Sequence, residues 1–169
     1  MPDSWQRLWA PHRMSYLEGE NRPLAGNEIE CPFCRIAALD DAEALIVARG
    51  KEAYVVMNLY PYNAGHLLVC TNRHVAELPE LTQSERNEVQ SLTAHGMRVL
   101  RKVSNASGFN IGINQGDVSG AGIAGHFHQH IVPRWAGDAN FMPIIGKTKV
   151  IPKLLQESRE QLAAGWNQI

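Results

Sequence analysis

The chain has 169 residues, 44% hydrophobic and 20% charged, with a formal net charge of −1. That length fits a single domain with a sizeable core. The near-neutral charge argues against binding to long nucleic acid or to an anionic membrane, and no apolar run reaches the roughly 18 residues of a membrane span. The first residues, Met1-Pro2-Asp3-Ser4-Trp5, lack the basic-then-apolar layout of a signal peptide, so a cytoplasmic protein is expected.

Trp5, Leu8, Trp9, Met14 and Leu17 fall partly at helical spacing, interrupted by Pro11, which predicts a helical turn or two within residues 4–18. Residues 19–30, with Pro23 and Gly26, read as a loop. Leu45-Ile46-Val47-Ala48, Tyr54-Val55-Val56-Met57 and Leu67-Leu68-Val69-Cys70 read as three strands, the last two joined by the turn formers of Tyr60-Pro61-Tyr62-Asn63-Ala64-Gly65. Thr82-Gln83-Ser84-Glu85 has capping-box spacing. Val89, Leu92, Gly96, Val99 and Val103 then step by three or four, predicting one long helix over about 82–104. Phe109 to Asn114 alternates as a strand, 116–125 is a glycine loop, about 126–132 is a strand, and Lys153 to Trp166 is a C-terminal helix with Pro152 at its first turn. Meandering strands with few crossovers imply class α+β: an antiparallel sheet of about five strands, with the long helix and the C-terminal helix packed on it.

The run Gly125-His126-Phe127-His128-Gln129-His130-Ile131 carries the strongest chemical signal. Residues i, i+2 and i+4 of a strand share one face, so the three imidazoles form a row. Such a row suits metal binding, proton transfer, or nucleophilic attack with phosphate recognition. Cys31-Pro32-Phe33-Cys34 is half of a zinc site. His74, at a strand end, and His126 would complete two thiolates with two imidazoles. The rivals are a thioredoxin-like redox pair, whose fold context does not fit, and two unengaged thiols. Cys70 ends an apolar run and reads as a small buried residue. Glycines in 116–125 would let backbone N–H groups approach an anion. Gly146-Lys147-Thr148 resembles a P-loop end, but the required earlier glycine falls at Phe141, so that motif fails. Asn58 and His66 bracket a turn, and Asn58 could grip a pair of hydroxyls or simply support the backbone.

Together these residues resemble the histidine triad (HIT) superfamily of nucleotide hydrolases and transferases. His126 to Val132 matches its H-φ-H-φ-H-φ-φ signature, where φ is apolar, except that Gln129 replaces one φ. The likeness runs from about Cys31 to Trp135 and includes Asn58, Pro61, Gly65-His66, Asn114 and Gly116. Residues 1–30 would be an N-terminal extension and 136–169 a C-terminal segment and helix of the same single domain. Ile131-Val132-Pro133-Arg134-Trp135, Gly137 to Phe141, Thr148 to Pro152 and the N-terminal Trp5-Gln6-Arg7-Leu8-Trp9 with Arg13-Met14 are similar to a branch containing diadenosine tetraphosphate phosphorylases of actinobacterial type.

The resemblance implies roles. His128 would be the nucleophile, forming a nucleotidyl-histidine, with its other ring nitrogen donating to a backbone carbonyl. His130 and His66 would contact phosphate oxygens. Asn58 would bind ribose hydroxyls, and Asn114 with Gly120, Ala121 and Gly122 would hold phosphates. Cys31, Cys34, His74 and His126 would hold a structural zinc, with no organic cofactor. Many members carry Gln or Ser where this chain has Gly122, which leaves room for inorganic phosphate as acceptor. The expected activity is phosphorolysis of diadenosine tetraphosphate to ATP and ADP by a homodimer. The alternatives are hydrolysis of dinucleoside polyphosphates or nucleoside phosphoramidates by the same histidine, a zinc-ordered nucleotide-binding module without turnover, and a metallohydrolase using all three histidines.

Overall fold

A computed structural model of the protein describes residues 31–138 and 153–169. The expected helical turns of 4–18 and the phosphorylase-like stretches of 1–30 and 139–152 lie outside these residues. Within them the chain runs α1 (Pro32–Ala37), β1 (Ile46–Arg49), β2 (Ala53–Met57), β3 (Leu67–Thr71), α2 (Gln83–Ser104), β4 (Gly108–Gly112), β5 (His128–Arg134) and α3 (Leu155–Trp166). The strands form one sheet in the order β1-β2-β3-β5-β4, and every neighbouring pair is antiparallel. This is the expected α+β architecture. The Cys31–Ala37 segment, expected only as a metal half-site, also makes a short helix, with Pro32 in its first turn, where its missing N–H costs nothing.

Both faces of the sheet are covered, which is why β2 and β3 are buried at every residue. Ala53, Val55, Met57, Leu67, Val69, Phe127 and Ile131 face the core beneath α2 and α3. Tyr54, Val56, Leu68 and Cys70 face the other way, toward Cys31 and Phe33 of the α1 segment. Helix α2 lays its stripe Val89, Thr93, Gly96, Val99 and Leu100 on the sheet. A Cβ at Gly96 would stand 3.2 Å from Ile131 Cδ1, so glycine there lets the helix approach β5 closely. Helix α3 crosses α2 and reaches β1: His95 Nε2 donates to the Trp166 carbonyl at 2.9 Å, and Arg159 Nε donates to the Ile46 carbonyl at 2.7 Å.

The start of α2 is tied to the end of β3. Thr82 accepts from the Glu85 N–H at 3.2 Å, and Glu85 accepts from the Thr82 N–H at 2.7 Å, completing the expected capping box. Arg73, next in chain to His74, grips Glu85 with two bonds of 2.9 and 2.8 Å. The Arg73 hydrogen bond outweighs burial and, with the Thr82 bonds, holds the Glu85 carboxyl down at about 2. A lowered folded pKa stabilises above the ordinary carboxylate pKa, and that contribution disappears as pH falls from about 4.5 to about 2. Glu85→Gln should therefore cost about 2 kcal/mol at pH 7. Urea unfolding from pH 7 down to pH 2.5 should show wild-type and variant stabilities converging at the acid end; a constant gap would show that the charge is not responsible.

Candidate functional site

The alternation of β5 sorts its side chains as expected. Phe127 and Ile131 enter the helix-side core, while His128 and His130 lie on the opposite face. The strand begins at His128, two residues later than expected. His126 precedes it, held where the Phe127 N–H donates to the Val75 carbonyl. β3 and β5 pair Cys70 with His128 and Leu68 with His130, which brings His66, just before β3, beside His130.

The hydrogen bonds fix the tautomers. His128 Nδ1 lies 2.8 Å from the His126 carbonyl. A carbonyl only accepts, so Nδ1 carries the hydrogen and Nε2 keeps a lone pair. This is the backbone anchor expected for the middle histidine. In the β2–β3 connection, the Tyr62 N–H donates to His66 Nδ1 at 3.0 Å, and Asn58 Nδ2 stands 3.3 Å from the same atom. His66 therefore carries its hydrogen on Nε2, which donates to His130 Nδ1 at 2.9 Å. That leaves His130 protonated on Nε2, an atom that is buried and without a partner among the described residues. Two rings 5.2 Å apart thus present opposite chemistry, a lone pair at His128 and a donor at His130.

Burial disfavours imidazolium at both. It pushes His128 below the ordinary histidine value against the opposing hydrogen bond to His126. His130 falls to about 4 through burial and then through the neighbouring His128 charge. Both rings are therefore neutral near pH 7. Tyr62 stacks on His130 at 5.6 Å and 9°, and Phe33 packs 5.0 Å from His128. His66 is fully buried with both ring nitrogens engaged inside the protein.

Asn58 joins this cluster through His66, and its Oδ1 accepts from the Tyr60 N–H at 3.0 Å. Asn114 is half-buried just beyond β4, whose Gly112 pairs with His130. Gly120 adopts φ 81, a left-handed conformation that suits glycine, and closes a short turn. Ala121 is buried, and Gly122 follows it half-buried. No hydrogen bond joins Asn114, Gly120 or Gly122 to the histidines among the described residues. Gln115 was not anticipated. Its Nε2 and His130 Nε2 are the buried side-chain nitrogens or oxygens left without a partner among the described residues, and a buried orphan donor marks a place for an acceptor. The available signal was an amide set between Asn114 and Gly116. Tyr62 and Phe33 were also missed as packing partners of the histidines, although each sits inside a motif already singled out.

The ligand atoms of Cys31, Cys34, His74 and His126 all lie within 4.8 Å of one another. His126 Nδ1 is 3.3 Å from Cys31 Sγ and 3.4 Å from Cys34 Sγ, and His74 Nδ1 is 3.3 Å from Cys34 Sγ. A tetrahedron with ordinary zinc bond lengths has N···S edges of roughly 3.5 Å. His126 Nε2 faces the Thr71 carbonyl at 2.8 Å, the outer contact that aims the opposite nitrogen at a metal. These four residues could hold a metal ion.

A family model described as HIT domain matches residues 40–137. The chain is 48% identical over 167 residues to a Mycobacterium tuberculosis protein named AP-4-A phosphorylase, covering 97% of this chain and 86% of that one. It is 38% identical over 90 residues to the asymmetrical bis(5'-nucleosyl)-tetraphosphatase of Schizosaccharomyces pombe, covering 53% of this chain and 49% of that protein. Its fold matches a Zn-bound histidine triad family protein from Mycobacterium smegmatis with a TM-score of 0.68 at 23% identity, covering 84% and 96% of the two chains. With the histidine row, the five-stranded sheet and these matches in agreement, the chain belongs to the HIT domain family.

Proposed function

We propose that the protein transfers a nucleotidyl group from diadenosine tetraphosphate to inorganic phosphate through His128. The observation that carries this is the pairing of a His128 Nε2 lone pair with the orphan His130 Nε2–H, neutral and buried side by side. His128 Nε2 attacks the α-phosphorus. An N–P bond forms as the P–O bond to the departing polyphosphate breaks, so ATP leaves and AMP stays on the ring. A phosphate oxygen then attacks the same phosphorus, the P–N bond breaks, and ADP departs with His128 regenerated. His130 Nε2–H and Gln115 Nε2 donate to phosphate oxygens, where negative charge must be held. His66 fixes the His130 tautomer. Asn58 binds ribose hydroxyls, while Asn114 and the loop through Gly120, Ala121 and Gly122 enclose the phosphates.

The similarity to the M. tuberculosis phosphorylase supports phosphate as acceptor, and so does the absence of a side chain at Gly122. With water as acceptor the same intermediate would give AMP.

Zinc is the metal that two thiolates and two imidazoles suit. Held by Cys31, Cys34, His74 and His126, it would supply structure, with all four positions filled and none left for substrate. Inorganic phosphate and nucleotide are the partners of this reading. A homodimer belongs to it as well, and β4 lies at the edge of the described sheet. No helix among the described residues is long and apolar enough to cross a membrane, and a cytoplasmic setting suits three cysteines outside disulfides.

Chromatography of products should show ATP plus ADP from diadenosine tetraphosphate only when phosphate is present. AMP plus ATP regardless of phosphate would replace phosphorolysis with hydrolysis. His128→Ala should lower turnover by at least about 10³-fold with an unchanged melting temperature; a variant that keeps most activity would refute the covalent mechanism. Elemental analysis should find about one zinc per chain. Chelation should remove it slowly, with activity and melting temperature falling together. Instant loss of activity at full stability would mean an open, catalytic metal.

A further inference from the structure

Gln129 breaks the apolar pattern of its strand and is only 3% exposed. It stands between His128 and His130 in sequence but faces the other way, into the helix-side core. There its Nε2 donates to Thr93 Oγ1 at 2.8 Å, and Thr93 Oγ1 donates to the Val89 carbonyl at 2.7 Å. From the outer side Gln90 Nε2 donates to Gln129 Oε1 at 3.1 Å. A polar seam therefore crosses an otherwise apolar contact between α2 and β5.

Burial alone does not call for an amide here. Phe127 and Ile131, the neighbours of Gln129 on the same face, are apolar and pack beneath the same helix. Apolar contacts are non-directional and tolerate small slides. Hydrogen bonds are directional, and a buried amide is costly unless its bonds are made, so only one placement of β5 against α2 satisfies it. That placement also sets where the two histidines on the far face stand.

We infer that Gln129, held by Thr93 and Gln90, is a positioning residue that fixes the His128–His130 pair by locking the catalytic strand to α2. This rests on the nucleotidyl-transfer reading for its kinetic consequence and on the structure alone for its geometric one. Misplacing reacting groups by about an ångström costs up to roughly 100-fold in rate.

The test compares Gln129→Leu, Thr93→Val and Thr93→Ser in the full-length, metal-loaded protein. Gln129→Leu should lower kcat for diadenosine tetraphosphate by about 10- to 100-fold, leave KM within about threefold, and keep the melting temperature and metal content. Thr93→Val, which exchanges the hydroxyl for a methyl group, should lower kcat in the same direction, and Thr93→Ser should restore it. Nitrogen chemical shifts of the His66, His128 and His130 rings should move in the first two variants and return in the third. If Gln129→Leu does not fold, Thr93→Val and Thr93→Ser decide by the same readouts. A Gln129→Leu protein with kcat within twofold of wild type and unmoved ring shifts overturns the inference. If the wild type itself turns over no dinucleotide, the functional reading falls. The ring shifts then decide the positioning role: moved shifts sustain it and unmoved shifts overturn it.

Discussion

A strand hydrogen-bonded along both edges cannot slip its register within the sheet, and the histidine row of this protein hangs from such a strand. β5 is zipped to β3 on one side and to β4 on the other. Its two-residue repeat therefore delivers imidazoles to one face and core residues to the other at fixed positions. The cluster that could hold a metal sits at one end of the histidine row and the orphan His130 donor at the other, with His128 between them. The same ladder brings β3 alongside, which carries His66 to His130 and His74 to His126.

Three imidazoles in one row end in three chemical states because each has a different neighbour. His126 turns Nδ1 to the thiols and Nε2 to the Thr71 carbonyl. His128 is fixed by a carbonyl acceptor, and His130 by a donor that is itself fixed by the Tyr62 backbone N–H. Burial keeps the last two neutral. No charged residue is needed to tell them apart, since the distinction is carried by which ring nitrogen meets an acceptor and which meets a donor.

The parts of this arrangement that depend on periodicity were legible in the sequence. The strand alternation of 126–131, the stripe of α2 and its Thr82–Glu85 cap follow from side-chain spacing. The four candidate metal ligands were legible too, because coordination number and donor type restrict the choice. The α1 helix was hidden behind its cysteines, whose spacing suggests a metal before it suggests a helix. Gln115, Tyr62 and Phe33 were harder, since their importance comes from what lies across the fold from them. The burial of His66 likewise depends on the whole β2–β3 turn, and with it the His66–His130 hydrogen bond. Gln129 showed as an exception in the pattern, but its partners on α2 lie 36 and 39 residues away.

Position 62 illustrates how one residue can answer to two unrelated demands. Its ring, stacked on His130, is a matter of side-chain identity. Its amide hydrogen, donated to His66, is supplied equally by any residue other than proline. Sequence drift at this site is thus free to alter the stacking while the protonation pattern of the histidines persists. A proline moved by one place, from 61 to 62, would remove the backbone hydrogen at His66 Nδ1 and leave Asn58 Nδ2 as the donor there, without touching a single histidine.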